Sequence, residues 1–358
     1  MAAASIPPDV ESPRVTGLHR EPPLVGFVYG LLGAILFGAN GSLTKAVMAA
    51  GLTPFQVTQF RTLATAILAG LVLLVFNRGA FRISSRQFWR MALLGVIGIC
   101  LLQLTYAMAI ELLPVGIALM LEYLAVLAVA VIARVFFKEQ VRRRVWIAIV
   151  LVLGGIAVVS KAWTGSLDGL GALLGIAAAA CLTFYFIYGE RQISATSPVA
   201  VVFWASLVGT SVTATFSGWW NLTPASFSEV VSLQGNLSEV MLPMWVPLTA
   251  VCVLGTFLPF VFSFMALGRL GPTRAGVVSS SEIVFAFLVA WIWLGEALDW
   301  FQLLGGAVVL VGIVLAQTAR PGAYADPDLA VATGSIPTLT GPIETLTGPV
   351  PRVDREKP

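Results

Sequence analysis

The sequence predicts an all-α polytopic membrane protein of ten transmembrane helices, arranged as two inverted five-helix repeats. Three observations carry this reading. Charged residues make up 11% of the 358 and hydrophobic residues 58%, with a mean hydropathy of +0.91; soluble domains carry about 25% charged residues. The charges cluster and leave apolar runs of roughly 20 residues, enough to cross a ~30 Å hydrocarbon core. The chain also aligns with itself at an offset of 157 residues (Gly98 on Gly255) over three consecutive helices. Alternating apolar and polar segments of the outer-membrane barrel kind are absent.

Spanning helices are expected near 24–49, 53–76, 89–110, 114–137, 145–162, 169–190, 198–217, 244–267, 272–294 and 301–319. The links "GLTP" (51–54) and "LLPVG" (112–116) read as tight turns. Residues 1–23 are polar and proline-rich, without the apolar core of a signal peptide, so the first helix serves as an uncleaved insertion signal. Residues 320–358 carry "TLTGP" twice, at 338–342 and 345–349, and read as a second disordered tail. The two repeats then occupy 24–162 and 169–319.

Orientation follows the distribution of Lys and Arg. The links after the second and fourth helices hold Arg78, Arg82 and Arg86, then Lys138, Arg142, Arg143 and Arg144, and Arg191, Arg269, Arg274 and Arg320 mark further ends on that side. The opposite side has Glu111, Glu229, Glu239, Glu296 and Asp299, with Lys161 as its basic loop residue. Both termini are therefore expected in the cytoplasm, and the 218–243 link outside. That link carries sequons at Asn221 and Asn236, meaningful only in a glycosylating host.

At the offset of 157, Gly98 pairs with Gly255, Leu101 with Leu258, Ala109 with Ala266, Leu113 with Leu270, Ala118 with Ala275, Glu139 with Glu296 and Gly155 with Gly312. A fainter echo sets "LLG" at 31–33 over 173–175. Five helices per repeat is an odd number, so the halves insert in opposite senses. The charges agree: Arg142, Arg143 and Arg144 align with Asp299, Trp300 and Phe301. Inverted repeats are a signature of secondary transporters, with substrate near the midplane.

An ionisable residue in a spanning helix is tolerated when it meets a partner or a wet cavity. The deep ones are Lys45, Arg61, Glu122 and Glu282; Arg134 stands close enough to a helix end to snorkel, and Lys45 could do the same. Arg61 lies roughly 10 Å and Glu122 roughly 12 Å from one surface at about 1.5 Å per residue. The matched depths allow an Arg61–Glu122 ion pair, either a structural fastening of the second and fourth helices or part of a site, with Gln103 at a similar depth able to bond either. Val115, Ala118, Ala125, Val126 and Val129 share the Glu122 face, while Met120, Leu124, Leu127 and Val131 lie opposite and are expected to face lipid. Glu282, roughly 15 Å deep, aligns with Ala125, one turn beyond Glu122, so two carboxyls share one face of two related helices.

Ser279, Ser280 and Ser281 add hydroxyls, though such serines often bond their own backbone. Further candidates for a wet wall are Asn40, Ser42 and Thr44, Tyr185 and Tyr188, and Trp204. "GFVYG" (26–30) and "GALLG" (171–175) match GxxxG and mark helix contacts. Glu139 and Glu296 close two helices at opposite faces and read as interface residues tied to basic groups or helix ends. Cys100, Cys181 and Cys252 lie in apolar runs without metal spacing, and His19, the one histidine, lies in the N-terminal tail. No metal or cofactor is expected, and no basic run with interleaved aromatics suggests nucleic acid.

These residues resemble a known family. "SSSEIVFAFLVAWIWLGEAL" (279–298) resembles the ninth-helix signature of the EamA family in the drug/metabolite transporter superfamily, with Ile283 where the family usually has proline. "LLPVGIALMLEYLAVLAV" (112–129) is similar to the fourth-helix motif of the threonine/homoserine exporter-like branch, with Val126 where proline is frequent. "FGANGSLTKAV" (37–47) and "FRTLATAILAG" (60–70) fit the first and second helices. The resemblance implies two inverted five-helix repeats and transport of small molecules, often efflux of amino acids or other metabolites across the bacterial inner membrane.

The expected function is a proton-coupled exporter of amino acids or similar metabolites working by alternating access. Arg61 would attract a substrate carboxylate or hold Glu122, and Glu122 and Glu282 would carry the proton or meet a substrate amine. The partners are the substrate, protons and the bilayer, with a homodimer left open. A membrane enzyme would need GxSxG, HExxH or paired aspartates, which the sequence lacks. A non-transporting sensor or assembly protein, and a facilitator of another solute such as a drug or a nucleotide-type metabolite, are the alternatives.

Overall fold

A computed structural model describes residues 23–136, 143–159, 168–193, 197–270, 272–296 and 299–318. The expectations that fall on residues 1–22 and 319–358, and on Lys138, Glu139, Arg142 and Lys161, lie outside these. The described chain is helical apart from one short hairpin. Helix α1 spans Pro23–Ala49, α2 Pro54–Phe76 and α3 Ser85–Leu112; α4 runs over 115–135, α5 spans Arg143–Val159, α6 Gly169–Ile193 and α7 Pro198–Phe216; α8 runs over 245–270, α9 over 272–294, and α10 spans Trp300–Thr318. Among the described residues eight helices, α1–α4 and α6–α9, are long and apolar enough to cross a membrane. The described part of α5 has 17 residues and begins on Arg143 and Arg144, and the apolar part of α10 is Trp300–Ala316.

Local chemistry sets several helix starts. Thr53 accepts from the Gln56 amide while the Gln56 side chain accepts from the Thr53 amide, a capping box, and Pro54 fills the first turn of α2. Ser197 accepts from the Ala200 amide and Pro198 fills the first turn of α7, a cap without the reciprocal bond because residue 200 is alanine. Gly51, at φ +111°, makes the α1–α2 turn that a side chain would strain.

Beside a π-helical stretch at Ala290–Leu294 of α9, to which α-helix at Ala133–Val135 corresponds in the other half, four departures from regular α-helix matter. Helix α3 carries a π-helical stretch at Leu94–Leu101 and α8 carries one at Val253–Phe257. Helix α4 breaks at Tyr123, between Val115–Glu122 and Leu124–Val135, and α9 breaks at residues 280–281, between Pro272–Ser279 and Glu282–Val289. Each break is tightened by three-residue backbone bonds, Val126 N to Tyr123 O and Ser281 N to Val278 O. No proline stands at either; the breaks at Tyr123 and at 280–281 lie shortly before Val126 and Ile283, the positions where the family resemblance leads one to expect proline. At the offset of 157 the π stretches overlap, and Tyr123 falls on Ser280.

The same contacts recur in the two halves of the chain. Gly26 and Gly30 of α1 pack against Leu270 and Val278, and Gly171 and Gly175 of α6 pack against Leu113 and Leu121. Asn40 meets Gly255 as Tyr185 meets Gly98. These pairs register α1 on α6 by "GFVYG" over "GALLG" (171 − 26 = 145) rather than by the "LLG" echo (173 − 31 = 142). A β-carbon at any of these four glycines would stand 2.7–2.9 Å from the side chain it packs on, so packing fixes a register that letter identity missed. Helices α5 and α10 cross at Gly155, whose carbonyl and α-carbon press on Gly305 and Val309, and at Gly312 against Ala148.

Helix α4 is the most enclosed of the candidate spans. Val115, Ala118, Ala125 and Val129 are buried, as their face predicts, but so are Met120 and Leu127, expected to meet lipid. The reason is packing on several sides: α4 is covered by α5, α6, α9 and α10, and Met120 reaches Gly306 of α10. The 218–243 link is ordered, with the strand pair β1 (Val230–Ser232) and β2 (Met241–Pro243) antiparallel and Val231 opposite Leu242. Phe227 and Val231 pack it onto Val47, Val57 and Val251.

Candidate functional site

A cluster of polar groups lies where α2, α3, α4, α8 and α9 meet. Arg61 of α2 is buried, and its Nε donates to Thr256 Oγ1 of α8 at 3.2 Å. The Thr256 hydroxyl donates in turn to the Val251 carbonyl five residues back, and Thr256 itself lies in the π-helical turn. The π turn thus aims Thr256 at the guanidinium, as such turns often do at functional sites.

Glu122 closes the first half of α4 and Glu282 opens the second half of α9, so the helix breaks place both carboxyls at interrupted backbone. Tyr123 Oη of α4 donates to Glu282 Oε2 at 2.7 Å. Glu122 lies within electrostatic range of Glu282 and Arg61, the buried Tyr106 of α3 within range of all three, Cys252 within range of Arg61 and Cys181 within range of Glu122. The Tyr106 hydroxyl comes up against Gly41 of α1, where a β-carbon would stand 2.7 Å from it. Glu122 and Glu282 are half-buried although both stand in the middle of apolar helices.

The matched depths of Arg61 and Glu122 do bring them together, but not as an ion pair. Among the described residues the pair makes no salt bridge within 4.0 Å, because Arg61 turns to Thr256. Glu122 has no hydrogen bond or ion pair among the described residues, and the buried Gln103 Oε1 has no partner there either. Asn40 is buried, accepts from Thr44 Oγ1 at 3.4 Å, and sits against the π turn of α8. Tyr185 packs on Gly98, in the π turn of α3.

Three expected residues stand apart from the carboxyls. Lys45 Nζ donates to Glu296 Oε1 at 2.6 Å and to the Leu113 carbonyl at 3.2 Å, while Glu296 Oε2 accepts from the Val115 amide at 3.0 Å. Glu296 is thus the expected interface residue, tied to a cation and to the start of α4. Trp204 donates to the Ala80 carbonyl and meets Phe88 and Phe203 edge-on, and Tyr188 stacks on Phe184 at 4.9 Å. Both belong to an aromatic cluster with Met91, Leu94, Val201 and Ala205. Ser280 and Ser281 bond the backbone carbonyls of Gly276 and Val278. Tyr106, Tyr123 and Thr256 join the cluster without having been singled out. Tyr123, adjacent to Glu122, was the one whose position hinted at it.

The family model of the EamA-like transporter family matches twice, over residues 24–161 and 169–318. The threonine/homoserine exporter RhtA of Escherichia coli (strain K12) is 28% identical over 222 residues, 60% of this chain and 67% of that protein. The uncharacterized transporter YdfC of Bacillus subtilis (strain 168) is 25% identical over 62% of this chain and 68% of its own length. The uncharacterized inner membrane transporter YicL of Salmonella typhimurium (strain LT2) is 23% identical over 81% of this chain and 94% of its own. One solved crystal structure superposes with a TM-score of 0.57 at 16% identity, over 81% of this chain and 96% of that one, a likeness of fold. The apolar helices and both family matches make this chain a multi-pass membrane protein that belongs to the EamA-like transporter family.

Proposed function

We propose that the chain is a secondary active transporter that exports amino acids or similar small metabolites across the bacterial inner membrane, with protons as the coupling ion. The observation that carries the reading is the cluster of Arg61, Glu122 and Glu282 inside apolar helices. One buried cation and two half-buried carboxyls match the carboxylate and ammonium of an amino acid. A carboxyl that alternates between a substrate amine and a proton couples the two fluxes. The relatives named as threonine/homoserine exporters support an amino-acid-sized substrate.

Ten spanning helices in two inverted five-helix halves are the architecture this reading uses. It is supported by the double family match, by the overlapping π turns and helix breaks, and by the recurrence of Gly26–Leu270 as Gly171–Leu113. In such folds one half rocks on the other about a central site. With both termini in the cytoplasm, the Lys45–Glu296 tie joins α1 to α9 at the outer end. Reconstituted into proteoliposomes with an imposed pH gradient, the wild-type chain moves a radiolabelled amino acid, and Glu122→Gln and Glu282→Gln lose the gradient-driven component. Full gradient-driven activity in both variants sinks the coupling.

A further inference from the structure

The two carboxyls of the cluster are not equivalent. Glu282 Oε2 accepts from Tyr123 Oη at 2.7 Å, whereas Glu122, next to Tyr123 in sequence, has no hydrogen bond or ion pair among the described residues. Tyr123 is the residue at which α4 breaks, and Glu282 is the first residue after the break in α9. The bond therefore runs from one interrupted helix to the other, between the two halves of the chain. At the offset of 157, Ser280 stands for Tyr123 and Ala125 for Glu282, a pair that cannot form the same bond. The tie exists once, and it breaks the likeness of the halves at the site itself.

We infer that Tyr123 is a positioning residue that divides the work between the carboxyls: its hydroxyl holds Glu282 across the halves and leaves Glu122 as the group open to a substrate amine or a proton. This rests on the transport reading. A phenol hydroxyl donates to an ionised carboxylate; when Glu282 takes up a proton or a cation, the carboxylate no longer needs that donor and the bond can be exchanged. The groups facing Glu122 are Glu282 of α9, Arg61 of α2, Tyr106 of α3 and Cys181 of α6. Among the described residues none of these makes a hydrogen bond or ion pair with Glu122, so none substitutes for the hydroxyl that Glu282 receives.

The test uses the full chain and two readouts. Infrared difference spectra of the purified protein between acidic and neutral buffers show its carboxyl bands, assigned with Glu122→Gln and Glu282→Gln. Tyr123→Phe keeps the ring in its packed position and removes the donor, so it shifts the Glu282 band and leaves the Glu122 band in place. In proteoliposomes without an imposed pH gradient, read by exchange of labelled for unlabelled amino acid, Tyr123→Phe and Glu282→Gln each lower Vmax/KM about 10-fold, the size of one hydrogen bond to a charged group. Their double variant falls no further than the worse single one, while Tyr123→Phe with Glu122→Gln multiplies the losses. An unmoved Glu282 band, or multiplied losses for Tyr123→Phe with Glu282→Gln, overturns the inference. If the wild-type chain moves no amino acid, the transport reading fails instead, and the infrared arm still decides the role of Tyr123 because it needs no transported solute.

Discussion

Lys45 and Glu296, 251 residues apart in sequence, meet at 2.6 Å and bind the end of α1 to the end of α9. The same two side chains reach the α3–α4 turn, through the Leu113 carbonyl and the Val115 amide. Three chain segments therefore converge on one ion pair, and any motion that opens this end has to part it. Both side chains are less than a third exposed, at 29% and 17%, so water screens the pair only in part.

Removing one partner leaves the other charge uncompensated, which costs more than losing the pair as a whole. Lys45→Gln is expected to lower stability by about 1–3 kcal/mol. Lys45→Gln with Glu296→Gln is expected to recover part of that loss, since no lone charge remains. Thermal unfolding in detergent, read by tryptophan fluorescence, gives both values. Equal or greater loss in the double variant would show that the charges are not coupled.

Arg61 places a planar guanidinium, and a lysine there cannot reproduce its donor geometry. Arg61→Lys should therefore weaken transport by about 10-fold or more, the cost of one hydrogen bond to a charged group. Thr256→Val, which removes the acceptor but keeps the shape, should act in the same direction. The check is the concentration dependence of amino-acid uptake in proteoliposomes. Normal uptake by Arg61→Lys would mean that positive charge alone suffices.

The link over the helix ends is fastened to α9 by two bonds. Trp293 Nε1 donates to the Leu233 carbonyl at 2.9 Å, and Asn236 Nδ2 donates to the Ile292 carbonyl at 2.9 Å. Trp293→Phe keeps an aromatic ring packed against the cluster of Val47, Val57 and Val251 and loses the donor. It should speed protease cleavage within 218–243 by several-fold while leaving the rest of the chain resistant, since a loosened link opens locally at a cost below global unfolding. Limited proteolysis followed by mass spectrometry reads the cut sites.

Much of this fold is legible in the sequence because it depends on local chemistry. Pro54 and Pro198, with Thr53 and Ser197 before them, mark helix starts by capping alone. The approach of Glu122 to Glu282 followed from the repeat, which carries distance information that a single helix does not. Side-chain aim was not legible. Arg61 has Glu122 at its own depth yet bonds Thr256, because a π turn in α8 rotates that hydroxyl toward it. Periodicity gives the face of Trp204 and Tyr188 but not which end of the bundle they occupy, and both went to the aromatic cluster near Ala80. Met120 and Leu127 read as lipid-facing on a helix with two sides; α4 is covered on more than two.

Adjacent glycines in α5 separate packing from propensity. A β-carbon on Gly155 would stand 2.7 Å from Val309 Cγ2 and 2.8 Å from the Gly305 carbonyl, whereas one on Gly154 meets nothing within 4 Å. Both lie in the same helix, so both substitutions gain the same helix propensity, about 1 kcal/mol for Gly→Ala. Gly154→Ala should therefore be neutral or stabilising. Gly155→Ala must push α5 and α10 apart against backbone, which cannot swing aside as a side chain does, and should cost about 1–3 kcal/mol net. The two variants differ only in which side of α5 carries the methyl group. Thermal midpoints that fall for Gly155→Ala and hold for Gly154→Ala place the α5–α10 contact at this glycine, and equal midpoints would remove it.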